Sequence, residues 1–153
     1  MLTMKGKYGM KAMLHLAALP EGALALSSQI AGENNISKKF LDTILGDLRL
    51  ARLIVSRKGR GGGYRLARPA AEIMVGEVLR VLDGPMAPIQ CASRSAYQPC
   101  HDCPDETLCA VRLTMIDVRD AISSVLDQRS VEDVRAEVLT LGAASAPTRA
   151  ANS

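Results

Sequence analysis

Residues 51–69, ARLIVSRKGRGGGYRLARP, constrain this chain more than any other stretch. Two β-prone runs, 53–56 and 64–67, flank a turn that holds Gly59, Gly61, Gly62 and Gly63. Four glycines within five residues let the backbone take the positive φ angles that tight hairpins need. Arg57, Lys58 and Arg60 fall at the tip, where nothing apolar could bury them. Such a hairpin is a cationic finger, suited to lie along a phosphate backbone or enter a minor groove. Taken alone it is equally an exposed hairpin with solvated charges, and the residues before it decide between the two.

From Tyr8 onward, Ala12, Met13, Leu16, Ala17 and Leu19 recur at helical spacing until Pro20 and Gly22 end the run. His15 within it reads as a packed or solvated residue rather than a ligand. Residues 26–31 read as a short helix with a serine cap, and residues 32–35 as a turn. Ser37 is then the expected N-cap of the next helix. In that helix Phe40, Leu41, Ile44, Leu45 and Leu48 share one face, while Ser37, Lys38, Lys39, Asp42 and Thr43 share the other. A buried face backed by small polar and basic residues suits a helix that reads the major groove. Helix, short helix, turn, helix and basic hairpin together predict a winged helix-turn-helix over residues 1–84. The fold class expected is mainly α, with a small β-hairpin wing and a long C-terminal dimerisation helix.

Charge divides the chain in the same way. Residues 1–68 carry twelve Lys and Arg against four Asp and Glu, giving +8, and the remainder carries −5. One half is built to meet a polyanion and the other is not. Aromatics make up only 3% of the chain, which favours an aliphatic core of packed helices. No apolar run approaches the ~20 residues of a membrane span, and no leader pattern opens the chain, so a cytoplasmic location is expected.

Residues 85–104 form an aperiodic loop. Between Cys91 and Cys109 lie all the cysteines of the chain, Cys91, Cys100, Cys103 and Cys109, spaced C-x8-C-x2-C-x5-C. Clustered thiols in a reducing compartment are not a disulfide framework. They suit an iron–sulfur cluster, a zinc site through the Cys100–Cys103 knuckle, or an exchanging thiol pair. Cys109 stands at a predicted helix N-terminus, which favours its thiolate. That helix is expected to start near Asp105 or Glu106. Leu108, Val111, Met115, Val118, Ile122 and Val125 follow alternating steps of three and four, an a/d seam suited to pairing with a second copy. A short closing helix at 130–134 completes a segment spanning 105–140, and 141–153, rich in Ala and Ser, reads as a disordered tail.

LTMKGKYGMKAMLHLA, SSQIAGENNISKKFLDTILGDLRLARLIVSRKGRGGGYRLARP and EIMVGEVLRVLDG resemble the Rrf-two (Rrf2) family of winged-helix regulators, the IscR/NsrR/RirA/CymR type. The resemblance runs to about Val134 and is most specific in the wing. It implies base contacts for Ser37, Lys39 and Asp42, and minor-groove or phosphate contacts for Arg57, Lys58 and Arg60. It implies a two-fold dimer through the long helix and a pseudo-palindromic double-stranded operator. It also tips the cysteines towards an iron–sulfur cluster, 2Fe–2S or 4Fe–4S, with zinc as the alternative. Cys91, Cys103 and Cys109 match the family's three ligand cysteines. The cluster-biogenesis members take a histidine as fourth ligand where this chain has Arg112. The nitric-oxide members use an acidic residue near the N-terminus, where this chain has Lys7 and Tyr8. Cys100 is then the expected fourth ligand, with His101 second.

The reading is a homodimeric DNA-binding regulator, a repressor by resemblance, that senses redox, iron or nitric oxide state through the cluster. Its alternative is a regulator of cysteine or sulfur metabolism without iron, using the cysteines as a zinc site or thiol switch. An enzyme is not expected, since no Ser/His/Asp set or phosphate-cradling loop is present. A protein-binding winged-helix adaptor is disfavoured by the +8 half.

Overall fold

The computed structural model describes residues 2–145. Helix α1 (Met4–Ala17) opens on Thr3, whose hydroxyl accepts the Gly6 N–H. Thr3 is itself held by Asp83, the last residue of α4 (Val75–Asp83), through an N–H···Oδ2 bond of 3.0 Å. The two helices touch closely enough that a Cβ on Gly9 would stand 1.9 Å from Leu82 Cδ1.

Helix α2 (Ser27–Asn34) is capped differently from the expectation. Its N-cap is Leu26, and the Gln29 side chain accepts the Leu26 N–H at 2.8 Å in place of a serine cap. The helix also runs through Gly32, so the turn is shorter than 32–35. Asn35 closes it in the left-handed region at φ 53°, a conformation asparagine tolerates. Ser37 caps α3 (Lys38–Leu50) as expected, accepting the Phe40 N–H at 3.3 Å.

Arg52 (φ 61°) then turns the chain so that Leu53 N–H reaches Leu48 O at 3.0 Å, with Leu53 buried beneath. Strands β1 (Ile54–Arg57) and β2 (Gly63–Leu66) pair antiparallel, Ile54 opposite Leu66 and Arg57 opposite Gly63. The hairpin docks on the body where Tyr64 and Ala25 exchange backbone bonds of 2.8 and 3.0 Å. Gly63 (φ 145°) is required there, because a Cβ would lie 2.7 Å from Ala25 O.

The core is aliphatic. Ala12, Met13, Ile30, Leu41, Ile44, Leu45, Leu48, Leu53, Ile73 and Val78 are fully buried around α1, α3 and α4. Val131, at the start of the last helix, joins them with no exposure, and its N–H bonds Ile73 O at 2.8 Å. The C-terminal half is therefore joined to the winged domain here, next to the Met74–Ser130 bridge, while helix α6 (Val131–Ala144) packs along α1 and helix α5 (Ala110–Asp127) against α4.

Two boundaries differ from the sequence reading. Helix α5 (Ala110–Asp127) begins later than Asp105, because residues Glu106–Leu108 form a 3-10 turn first. Helix α6 (Val131–Ala144) replaces the short closing helix and takes in four residues assigned to a disordered tail. Ser130 and Asp133 cap it reciprocally at 2.8 and 3.0 Å, and VEDVRAEVLTLGAA is rich in good helix formers. The rest of that expected tail, residues 146–153, lies outside the described residues.

Candidate functional site

Two assemblies of functional side chains stand on this frame. The first is the polar face of α3 with the wing. Ser37, Lys38, Lys39, Asp42 and Thr43 are all exposed. Lys38 Nζ lies 2.8 Å from Asp42 Oδ2, an exposed pair worth little in water and easily exchanged for another anion. Among the described residues Lys39 has no carboxylate partner, so its ammonium is free to meet one. In the wing Lys58 and Arg60 are exposed and unpaired among the described residues. Arg57 is different: its Nη2 donates to Gly61 O at 3.0 Å and holds the turn. The hairpin is thus clamped by one of its three tip cations. Sequence reasoning passed over Arg65, exposed on β2, and Arg52 at the end of α3. Their signal was period-two alternation in a strand and a charged residue just past a helix end.

The second assembly is the cysteine loop between α4 and α5. Cys91 lies in a 3-10 turn at Gln90–Ala92, Cys100 and Cys103 on irregular chain, and Cys109 at the N-cap of α5. All four are partly buried and free of disulfides. The fold brings them together. Cys100 and Cys103 sulfurs and an Asp102 carboxylate oxygen lie within 4.8 Å of one another. Cys103 lies beside the Cys100 and Cys109 sulfurs, and their proximity pushes its thiol up to about 12. Cys91 is raised first by desolvation and then by the nearby Cys100 sulfur. Cys109 is lowered, first by the Arg112 N–H that its sulfur accepts at 3.5 Å and then by the Cys103 thiol. Sulfurs so crowded repel one another as thiolates, which is the electrostatic condition a bound cation relieves.

Glu106 organises the loop from one side. Its Oε1 accepts the Cys100 N–H at 2.6 Å and its Oε2 the Tyr97 hydroxyl at 2.5 Å. These bonds hold its carboxyl below the usual range and raise the Tyr97 phenol. Arg112 sits 3.9 Å from Glu106 and donates to Cys91 O at 2.9 Å. A guanidinium has no lone pair for a metal. Arg112 therefore cannot serve as a ligand, whereas the Cys100 sulfur lies among the converging donor atoms. His101 is exposed outside the trio that converges. Sequence reasoning missed Tyr97 and Glu106, whose partners are fixed only by the folded loop.

The expected seam is apolar and uncovered. No residue of α5 is buried, and Val111, Val118 and Val125 are 63%, 37% and 59% exposed. Met115 and Ile122 are half-buried. Leu108 belongs to the preceding 3-10 turn rather than to the helix and is 80% exposed.

Residues 2–137 match the family model described as Rrf2, iron-dependent transcriptional regulator. The chain belongs to the Rrf2 family. An rrf2-like HTH-type transcriptional regulator of Rhodobacter capsulatus is 42% identical over 139 residues, covering 89% of this chain and 93% of its own. CymR of Bacillus subtilis is 36% identical over 134 residues, 87% of this chain and 88% of its own. Its solved structure, that of the global cysteine regulator of that organism, superposes with a TM-score of 0.74 over 90% of this chain and 97% of that one, at 32% identity. IscR of T. potens gives a TM-score of 0.71 over 90% of this chain and 88% of that one, at 27% identity. The winged-helix architecture and the resemblance read from the sequence are both borne out. The chain is thus an Rrf2 transcriptional regulator, not an enzyme, and DNA is the partner this implies. Among the described residues no helix is long and apolar enough to cross a membrane.

Proposed function

We propose that this Rrf2 regulator is a homodimeric repressor whose DNA affinity is set by an iron–sulfur cluster held by Cys91, Cys100, Cys103 and Cys109. The observation that carries this reading is the replacement around Arg112. The residue at the family's histidine position is engaged with the Cys91 carbonyl, and a fourth thiol, Cys100, is folded against Cys103. The chain keeps a four-donor set by moving the fourth donor into the loop.

Bound there, a cluster supplies a redox- and iron-responsive centre. The chain's own residues do the rest. The Arg112 N–H and Cys103 favour the Cys109 thiolate, while Glu106 and Tyr97 hold the loop around Cys100. A tetrahedral zinc site would need all four sulfurs roughly 3.8 Å apart, given Zn–S near 2.3 Å. The trio whose donor atoms converge is instead Cys100, Asp102 and Cys103, with Cys91 and Cys109 outside it, so the four sulfurs are not drawn into one such tetrahedron.

On the DNA side, Ser37, Lys39, Asp42, Lys38 and Thr43 face the bases and adjacent phosphates, and Lys58 and Arg60 extend the contact through the wing. One reading helix per protomer and an α5 seam predict a pseudo-palindromic operator with one half-site per protomer.

A second reading has its own support in the similarity to CymR, named as a global cysteine regulator. In that case the thiols act without iron, as a zinc site or an exchanging pair, and the target genes concern sulfur. Anaerobic purification separates the two. A coloured protein with iron and acid-labile sulfide in comparable amounts is expected. A colourless protein with stoichiometric zinc, or with neither metal, overturns the cluster.

A further inference from the structure

Helix α5 grips the turn that carries Cys91 at two points. Arg112 Nε donates to Cys91 O at 2.9 Å, and Arg119 Nη1 donates to the next carbonyl, Ala92 O, at 2.5 Å. The two arginines are seven residues apart and so lie on one face of the helix. Arg119 is the more deeply set, 13% exposed against 24% for Arg112. Each has an acidic neighbour that fixes its plane: Asp120 lies 2.7 Å from Arg119 Nη2, and Glu106 lies 3.9 Å from Arg112. Asp120 is also bonded by Arg94 at 3.0 Å, from the chain just past the turn. Ala92 and Ser93, immediately after Cys91, are buried by this arrangement. Among the described residues the opposite half of the cysteine ring has no arginine clamp to the helix. Cys100 and Cys103 lie on irregular chain, where Cys100 is held by its N–H bond to Glu106 and its thiol donates to Asp102 at 2.7 Å.

We propose that Arg112 and Arg119 are positioning residues that fix Cys91 to α5, so that Cys91 and Cys109 are tied to the helix directly while Cys100 reaches it only through Glu106. Both side chains act through the backbone of the Cys91 turn, whose two carbonyls would otherwise be left to water or unpaired. A charge-assisted bond to a backbone oxygen is among the stronger hydrogen bonds of a protein. Two of them in register make the Cys91–α5 spacing rigid, whereas removal of one leaves a hinge. Anything that draws Cys100 and Cys103 towards Cys91 and Cys109 then pulls against α5 itself rather than against a slack loop. This inference deepens the reading of the loop as the sensor and rests on it for its consequence at α5. Its geometric content concerns Cys91 in the metal-free chain.

The test uses the full chain, stripped of metal and reduced, with the alkylation rate of each cysteine followed by mass spectrometry. Arg119→Leu is expected to speed alkylation of Cys91 about tenfold, the opening expected when a charge-assisted bond is removed. Cys100 should react at the parental rate, and Arg119→Lys should restore most of the protection. Arg112→Leu should act in the same direction at Cys91. If α5 unfolded in the variants, circular dichroism would fall and all four thiols would accelerate together. That outcome, or parental Cys91 rates in both leucine variants, overturns the proposal. Iron analysis of the anaerobic parent is a separate measurement. A parent without iron refutes the cluster while the Cys91 rates still decide the positioning roles.

Discussion

Val125→Asp separates the energetics of the protomer from those of its association. Val125 is 59% exposed in the single chain and lies with Ala121, Ile122 and Leu126 on an apolar patch of α5. A carboxylate there remains largely in water in the monomer, so the fold should lose well under the ~1 kcal/mol typical of point substitutions. In a two-fold seam the same position is buried twice, once from each protomer. Each buried valine contributes roughly 1.5 kcal/mol or more of transfer free energy, so its loss on both sides removes about 3 kcal/mol. Desolvating two facing carboxylates adds about 1–3 kcal/mol each, with repulsion on top. The dimer should therefore weaken by about 5 kcal/mol or more, over a thousandfold in dissociation constant. Sedimentation velocity at low micromolar concentration should show a dimer for the parent and a monomer for the variant, and the variant should melt no lower than the parent does when diluted until it dissociates. A variant that still sediments as the parent dimer would refute the seam. A variant that melts far below the dissociated parent would show that Val125 packs within the protomer after all.

Other outcomes follow from the two assemblies. Lys58→Ala combined with Arg60→Ala should flatten the slope of log K against log salt by about 0.9 for each phosphate no longer neutralised, and a slope equal to the parent's would remove the wing from the DNA interface. Gly63→Ala places a methyl 2.7 Å from Ala25 O at φ 145° and should lower the melting temperature by several degrees, whereas an unchanged melt would mean the wing is not docked there. In the reduced, metal-free protein Cys109 should be alkylated at lower pH than an ordinary thiol, because its pKa is lowered and its thiolate persists as pH falls. Cys103, pushed up to about 12, stays protonated and slow through the pH range where Cys109 reacts. The reverse order of reactivity in a pH series of alkylation rates would contradict the proximity that links them.

The winged domain was legible because its signals are local. Ser37 before an amphipathic run, and glycines between two short β-prone runs, act within a few residues of themselves. The misreadings fall where a side chain is recruited from elsewhere. The α2 cap passed to Gln29, three residues inside the helix, and no serine pattern could show that its carboxamide would win. The sequence places Arg57 at the exposed tip, where it stands, but does not foretell its bond to the Gly61 carbonyl, which also holds the turn. The cysteine spacing announced a site but not its shape. Glu106, Tyr97 and Arg112 gain their roles only when an aperiodic loop folds back on α5, and nothing in period or composition encodes that return. The late start of α5 has a similar cause: Asp105 accepts the Thr107 N–H at 2.8 Å and stabilises a separate 3-10 turn before the helix can begin.

The connection between the two assemblies narrows how a cysteine-loop signal could reach DNA. Cys109 is at the first end of α5, and Asp127 at the last is bonded bidentate to Arg80 of α4, both distances 2.7 Å. At about 1.5 Å per residue the helix separates these ends by roughly 27 Å. With no residue buried on its own protomer, α5 is a lever resting on few supports. Its far end is fixed by the Arg80–Asp127 pair and by the strand-like bridge from Met74 to Ser130. Both supports lead into α4, which also packs against α1 and α3. Under the proposed reading a displacement of the cysteine ring would reach α3 through α4, and in a two-fold dimer it would change how far apart the two α3 helices stand. Coupling of this kind needs two discrete arrangements of the lever, each favoured by one state of the site. The Arg80–Asp127 pair is the natural place for that bistability. It is partly exposed, so it can break without leaving buried charges, and its rupture would leave the Met74–Ser130 bridge as the support at that end without touching a cysteine or a DNA-facing residue.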